Sequence, residues 1–291
     1  MSGLDLVDAV VYADVFGCAA GEDDVWRYSR TPLERAAVRE RLAELDGLIH
    51  ARDGLICLAG SEQLLAAAPE RRRRAARLHR RARRVARLVQ HAPFVRGLLL
   101  TGSAAAGEAA PGADPDLLVL VAPGRIGTVF ALLAPVARIT RGRLLCPNHY
   151  RGTDHLALEQ RDLYVARELA QAWPLAGCGA AFLAANEWTR ELLPNAAPRR
   201  GGVRALPLGR LAQRLAEALL PARLEPRLRH LAHARLHAHH EGAPPDDVVR
   251  ELDAGVELRF HAAPVHEQAL DAYAARRAAL QERYRPARAA S

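Results

Sequence analysis

Apolar side chains in the first sixty positions recur at the spacing of short helices. The segment Leu4 to Phe16 follows a 3.6-residue period, a second helix starts near Val25, and a third runs from Pro32 to Gly47. Residues 48–58 hold two short apolar runs around an Asp-Gly turn, which predicts a hairpin. Three helices and a hairpin are typical of a winged helix, so residues 1–68 form the first predicted unit. Because the third helix mixes Glu with Arg, packing or dimerisation is an alternative to DNA binding.

Arginine dominates the next segment, residues 69–92. Leu78, Ala82, Val85 and Val89 form a narrow apolar stripe, and arginines crowd the rest of the predicted helix. One interpretation is a solvated connector helix, the common fate of a charge run. The other is a phosphate-facing wall for an RNA or a nucleotide.

The pattern then changes to strands that alternate with helices. Phe94 to Leu100, Leu117 to Val121 and Leu144 to Cys146 are apolar runs of strand length, and a helix from Ile126 to Val136 separates the last two. This alternation predicts a small mixed sheet over residues 93–160. Beyond it, residues 161–291 are predicted to be helical. The fold class is therefore α+β, with a winged-helix-like N-terminal segment and a helical C-terminal region.

The composition bears on partners and location. All 41 basic residues are arginine, the formal net charge is +8 and the pI is about 10.0. Such a surface favours polyanionic partners, which include nucleotides and nucleic acid. The four cysteines form no C-x-x-C pair, the N-terminus lacks the positive charge of a secretory signal, and no apolar run approaches the roughly 20 residues of a membrane span. We therefore expect a cytoplasmic protein without a membrane partner.

Candidate chemistry is concentrated around the first two predicted strands of this sheet. Gly102-Ser103 follows the first strand, where a glycine turn, a hydroxyl and backbone N–H groups can cradle a phosphate. Asp114 and Asp116 precede the second strand, and residues two apart on a strand face the same side. Two carboxylates placed in this way suit Mg²⁺ and a triphosphate. Asn148, after the third run, is a further candidate nucleotide ligand.

The strand, the Gly-Ser, the short helix and the D-x-D strand resemble the signature of the DNA polymerase β-like nucleotidyltransferases. Stretches at 145–150, 162–169, 186–188 and 193–195 resemble a little-characterised bacterial and archaeal group within that superfamily, whose members have an N-terminal winged-helix-like segment. The resemblance implies a nucleotidyltransferase that moves a nucleoside monophosphate from an NTP, here ATP, to an unidentified acceptor and releases pyrophosphate. It also implies that a nucleotide and Mg²⁺ bind at the Gly-Ser and D-x-D residues.

One departure from this resemblance affects the expected activity. Active members add a third carboxylate from a later strand, and the predicted third strand here, Leu144 to Tyr150, carries no acid. Asp154 and Glu159 lie just beyond it, and we take Asp154 as the candidate third catalytic acid. If neither residue reaches the site, the alternative is a catalytically silent nucleotide- or nucleic-acid-binding regulator that uses the same fold and the arginine-rich surface.

Overall fold

The computed structural model describes residues 4–45, 47–240, 243–260 and 263–289. The fold belongs to the α+β class, which confirms the class predicted from the sequence. It contains a small three-stranded antiparallel sheet near the N-terminus and a mixed five-stranded sheet that organises the rest of the chain.

The N-terminal segment has the three helices and the hairpin that the sequence predicts. Its elements are α1 (Leu4–Val15), β1 (Ala20–Gly21), α2 (Glu22–Arg27), α3 (Val38–Ala43), β2 (Ile49–Arg52) and β3 (Leu55–Leu58). The third helix is shorter than predicted, because a 3₁₀ turn at Arg35–Ala37 precedes it. Val10, Val25, Leu45 and Ile56 form part of the apolar core of this segment.

The arginine-rich helix α4 spans Gln63–Val89 and so begins before Pro69, where the sequence predicts its start. Leu65 and Ala68 are buried against the hairpin, and this packing stabilises the extra turn although a proline lies within the helix. The predicted stripe is inward-facing: Leu78, Ala82 and Val85 are buried.

The centre of the fold alternates strands and helices. Its elements are β4 (Val95–Leu100), α5 (Gly102–Ala106), β5 (Asp116–Val121), α6 (Ile126–Ile139) and β6 (Cys146–Gly152). Strands β4 and β5 are antiparallel, and β5 and β6 are parallel through the crossover helix α6. The third predicted strand, Leu144 to Tyr150, starts two residues later than predicted, since pairing with β5 begins only at Cys146 and Leu144 lies in the preceding turn.

The C-terminal region is not purely helical, which corrects the prediction for residues 161–291. Its elements are α7 (Leu163–Gln171), β7 (Trp173–Gly177), α8 (Gly179–Ala184), α9 (Thr189–Leu192), α10 (Pro207–Leu219), α11 (Glu225–His239), α12 (Asp246–Ala254), β8 (Glu257–Arg259) and α13 (Ala263–Ala289). Strands β7 and β8 form the two edges of the large sheet, whose order is β7-β4-β5-β6-β8. Both are short edge strands, and β7 contains a proline, so neither has a strong strand signal in the sequence.

Helices cover both faces of the large sheet, which explains the continuous apolar runs of β4 and β5. On one face Leu98 and Val119 pack in a cluster with α4, α6 and α11. On the other face Leu99 and Leu118 pack with Ala166 of α7 and with α8. Packing against this second face brings α7 close to the end of β4, where the Gly-Ser turn lies. In the described residues no helix is long and apolar enough to cross a membrane.

Candidate active site

One large cavity, the central cavity, opens where the N-terminal segment, the large sheet and the C-terminal helices meet. Its volume is about 1330 Å³, which exceeds the roughly 300–1000 Å³ of a typical small-molecule pocket. Four of the six residues that the sequence singles out line it: Gly102, Ser103, Asp116 and Asn148. The cavity therefore has room for more than one small ligand.

Gly102 occupies a position that no other residue fills without strain. Its φ is +63°, and a Cβ built on it would collide with Oδ2 of Asp116. Glycine adopts this left-handed conformation at no steric cost, and it also lets β5 approach the turn closely. Burial raises the pKa of Glu168, a residue of α7, and the backbone of Gly102 partly offsets this rise, so the Glu168 carboxylate lies near the turn. The turn therefore connects the first strand of the site to two carboxylates.

Asp116 is the acid at the centre of the site. Its Oδ1 accepts a hydrogen bond from Nδ2 of Asn148 over 3.0 Å, and the Cys146 thiol lies close enough to lower the pKa of Asp116. Burial, followed by the charges of Glu168 and Asp114, raises the pKa of Asp116 to about 7. The carboxylate thus lies among other negative charges, and no arginine or histidine in the described part of the chain forms an ion pair with it.

Asn148 reaches Asp116 because of an irregularity in the pairing of β5 and β6. Leu117 pairs with Pro147 and Leu118 pairs with His149, so that Asn148 is an extra residue between the two pairs. As in other bulges, the extra residue changes the direction of the neighbouring side chains. Both Asn148 and His149 consequently line the cavity.

Asp114 does not line the central cavity. It precedes β5, so the alternation that would align it with Asp116 does not apply to it. Its carboxylate lies against Gly142, in the turn after α6, where a Cβ would stand 2.5 Å from Oδ2. Its charge nevertheless acts on the site, since it raises the pKa of both Asp116 and Cys146.

Asp154 also lies outside the lining of the cavity. It is exposed, and its Oδ2 is 3.7 Å from Nε2 of His155. Glu159 lines the cavity from an exposed loop. The structure instead brings Glu168 to the Gly-Ser turn, and burial raises the pKa of Glu168. The sequence signal for this residue is an acid on the mainly apolar, inward side of a predicted helix, next to four buried residues: Ala166, Arg167, Leu169 and Ala170.

A cluster of paired acidic and basic side chains lines another wall of the cavity. Glu257 of β8 is buried and contacts His149 and Arg151 of β6, with Arg259 Nε at 3.4 Å from its carboxylate. Although burial opposes ionisation, His149, Arg259 and Arg151 hold the pKa of Glu257 at about 2. This wall is internally neutralised, in contrast to the Asp116 end of the cavity.

No cluster of three or more His, Cys, Asp and Glu side chains has the arrangement of a metal site within the described ranges. In comparisons with known proteins, the chain matches no family model, and neither a curated protein nor a solved structure shows significant similarity to it.

Proposed function

We propose that the chain is a nucleotidyltransferase that moves a nucleoside monophosphate from an NTP to an acceptor and releases pyrophosphate. One observation carries the proposal: two carboxylates, of Asp116 and Glu168, meet beside Gly102 and Ser103 at one end of a cavity large enough for two substrates. The order of β4, the Gly-Ser turn, α5 and β5 supports the resemblance to the polymerase β-like superfamily.

The donor set fits a magnesium ion. Asp116 and Glu168 offer the carboxylate oxygens that Mg²⁺ prefers, and Asp114 adds negative charge nearby. Because burial and the neighbouring carboxylates raise the pKa of Asp116 to about 7, a cation would supply the missing counter-charge. When bound there, Mg²⁺ would neutralise charge on the oxygens of the triphosphate during transfer.

The residues of the chain then have distinct roles. The Ser103 hydroxyl donates to a phosphate oxygen, and Asn148 fixes the direction of the Asp116 carboxylate. The carboxylate of Glu168 accepts the proton of the acceptor's hydroxyl group. The acceptor oxygen bonds to the α-phosphorus, the bond between that phosphorus and the bridging oxygen to the β-phosphate breaks, and pyrophosphate leaves.

The test is calorimetric titration of each NTP into the protein with Mg²⁺ and with EDTA. We expect ATP to bind only with Mg²⁺, and Asp116→Asn or Glu168→Gln to weaken this binding at least tenfold. Asp154→Asn is the matched control, because it removes an exposed acid outside the cavity. Unchanged MgATP binding in both site variants, or no binding of any NTP by the native protein, would overturn the proposal.

One feature favours a second candidate, a catalytically silent nucleotide- or nucleic-acid-binding regulator. Asn148, rather than an acid, faces Asp116 from β6 and occupies one of its oxygens. In addition, α4 exposes arginines for which the described residues provide no ion-pair or hydrogen-bond partner: Arg73, Arg80, Arg83, Arg84 and Arg87. An arginine-rich face of this kind binds phosphate backbones with release of counterions.

The regulator is distinguished from the transferase by nucleic-acid binding that depends on salt and on the arginines of α4. It binds RNA or DNA with an affinity that falls steeply as salt rises, and a triple change of Arg80, Arg83 and Arg84 to Gln weakens the binding and flattens the salt dependence. Asp116→Asn leaves this binding unchanged. Metal-dependent ATP binding that is lost in Asp116→Asn favours the transferase instead.

A further inference from the structure

Arg167 lies next to Glu168 on α7 and lines the same cavity. Only 5% of this residue is exposed. Its guanidinium lies between two aromatic rings of the N-terminal segment, with Cζ 4.4 Å from the centroid of Tyr12 and 3.7 Å from that of Tyr28. The rings hold the planar group in one orientation, as cation–π stacking does.

The charge of Arg167 is not balanced by an ion pair. Among the described residues no carboxylate oxygen lies within 4.0 Å of its guanidinium nitrogens, and Nε and Nη1 are buried without a hydrogen-bond partner. The hydroxyl of Tyr12, which also lines the cavity, is buried without a partner as well. A buried cation that lacks a counter-charge is costly, and aromatic stacking offsets only part of that cost.

The neighbouring acid on α7 does not meet this requirement. Glu168 interacts with Arg167 electrostatically, but its carboxylate forms no ion pair within 4.0 Å of the guanidinium. The cavity is therefore bipolar. Its acidic end, at Asp116 and Glu168, suits a cation with a nucleotide, and its basic end, at Arg167, suits an anion.

We propose that Arg167, held by Tyr12 and Tyr28, is an anion-binding subsite for the acceptor, which carries a carboxylate or a phosphate group. This inference rests on the proposed nucleotidyl transfer. A guanidinium forms paired hydrogen bonds with either anion because its planar fork matches their oxygens. Arg167 and Glu168 both line the cavity, so an acceptor bound at Arg167 shares the cavity with the acidic end.

The experiment measures the binding of inorganic phosphate and, separately, of acetate by the full chain, with and without saturating MgATP. The variants are Arg167→Met, which removes the charge, and Arg167→Lys, which keeps the charge without the planar fork. The matched control is Arg52→Met, an exposed arginine of β2 that does not line the cavity. Near-UV circular dichroism verifies that each variant is folded. If Arg167→Met is not folded, Arg167→Lys is compared with the native protein instead.

We expect one of the two anions to bind with the same dissociation constant in native protein and Arg52→Met, and at least tenfold more weakly in Arg167→Met. Arg167→Lys falls between them, and MgATP leaves the binding intact. Preference for phosphate or for acetate identifies the class of acceptor. Equal binding in Arg167→Met overturns the subsite, and competition with MgATP overturns its assignment to the acceptor.

Failure of the subsite and failure of the transferase are distinguishable. If MgATP binding depends on Asp116 while anion binding does not depend on Arg167, only the proposed subsite is wrong. If no NTP binds but phosphate or acetate binding depends on Arg167, the anion site stands and its assignment to an acceptor falls with the proposed function.

Discussion

Asn148 donates a hydrogen bond to Oδ1 of Asp116 across the two parallel strands β5 and β6. The other oxygen of this carboxylate, Oδ2, faces the backbone of Gly102. An amide on one side and a glycine on the other therefore fix the direction of the acid, and each of these neighbours can be changed separately.

The first prediction concerns Asn148→Asp, which replaces a hydrogen-bond donor by a third carboxylate at Asp116. Without metal we expect a lower melting temperature, with a loss of about 1–3 kcal/mol from the missing donor and the like-charge repulsion. Added Mg²⁺ should restore more stability to this variant than to the native protein, since the extra acid offers another oxygen ligand.

Thermal unfolding in EDTA and in Mg²⁺ measures both effects. The control is Asn148→Ala, which loses the same donor but adds no charge and should gain nothing from Mg²⁺ beyond the native response. An equal response to Mg²⁺ in the two variants would count against a cation at Asp116.

The second prediction concerns the pH dependence that follows from Asp116. Its pKa is about 7 in the folded protein, against 3.8 for an unperturbed aspartate. Between these values the folded chain holds a proton that the unfolded chain releases, so Asp116 makes stability fall as pH rises from about 4 to about 7. Asp116→Asn removes this penalty and should raise the free energy of unfolding at pH 8 by roughly 1–4 kcal/mol.

Urea unfolding at pH 5 and at pH 8 tests the effect, with Asp154→Asn as the control for removing an exposed acid. The gain in Asp116→Asn should be larger at the higher pH and should disappear when Mg²⁺ is present, because the ion stabilises the native carboxylate. A gain that is independent of pH would contradict the raised pKa.

The third prediction separates the two roles of Gly102 at the Gly-Ser turn: its left-handed backbone conformation and the space that it leaves for Asp116. Gly102→Ala introduces a Cβ at φ +63° and against Oδ2 of Asp116. Gly107, at the end of the same short helix, has φ +86°, and a Cβ at this position would meet no atom within 4 Å. We expect Gly107→Ala to cost about 1 kcal/mol from backbone strain alone.

Gly102→Ala should cost more than Gly107→Ala and should also displace Asp116, so that MgATP binding is lost. Chemical unfolding and calorimetry on the two variants compare the effects directly. Equal loss of stability, with MgATP binding kept in both variants, would show that the contact with Asp116 has no consequence.

The elements that the sequence predicts well are those whose periodicity is strong. Runs such as Leu117 to Val121 are apolar on both faces because helices cover both sides of the sheet, and this pattern is visible without coordinates. Strands β7 and β8 are not predicted, because their sequences lack such a pattern. Trp173–Gly177 contains a proline and ends in glycine, and Glu257–Arg259 is three residues long and mostly charged.

The residues of the site divide in the same way, into those that a local sequence pattern predicts and those that it does not. The Gly-Ser turn and Asp116 are adjacent to strong strands, so their association follows from local pattern. Glu168 and Arg167 reach the site only through the packing of α7 against the sheet, and no local spacing specifies that contact. Asp114 illustrates the limit of periodicity, since it lies before β5, where alternation has not begun.

The last prediction concerns Glu257, the buried carboxylate of β8 that His149, Arg151 and Arg259 surround. Its pKa is lowered to about 2, so it stabilises the fold above its ordinary pKa of 4.5, and this contribution is lost as pH falls towards 2. Glu257→Gln leaves buried cations without their counter-charge and should cost about 3–5 kcal/mol at pH 7. The deficit should shrink at pH 3, because protonation also begins to weaken the native pair. Asp247→Asn, whose side chain is 48% exposed and pairs with the same Arg259, is the control and should cost less than about 1 kcal/mol. Urea unfolding at both pH values tests this prediction, and equal losses in the two variants would contradict the role assigned to Glu257.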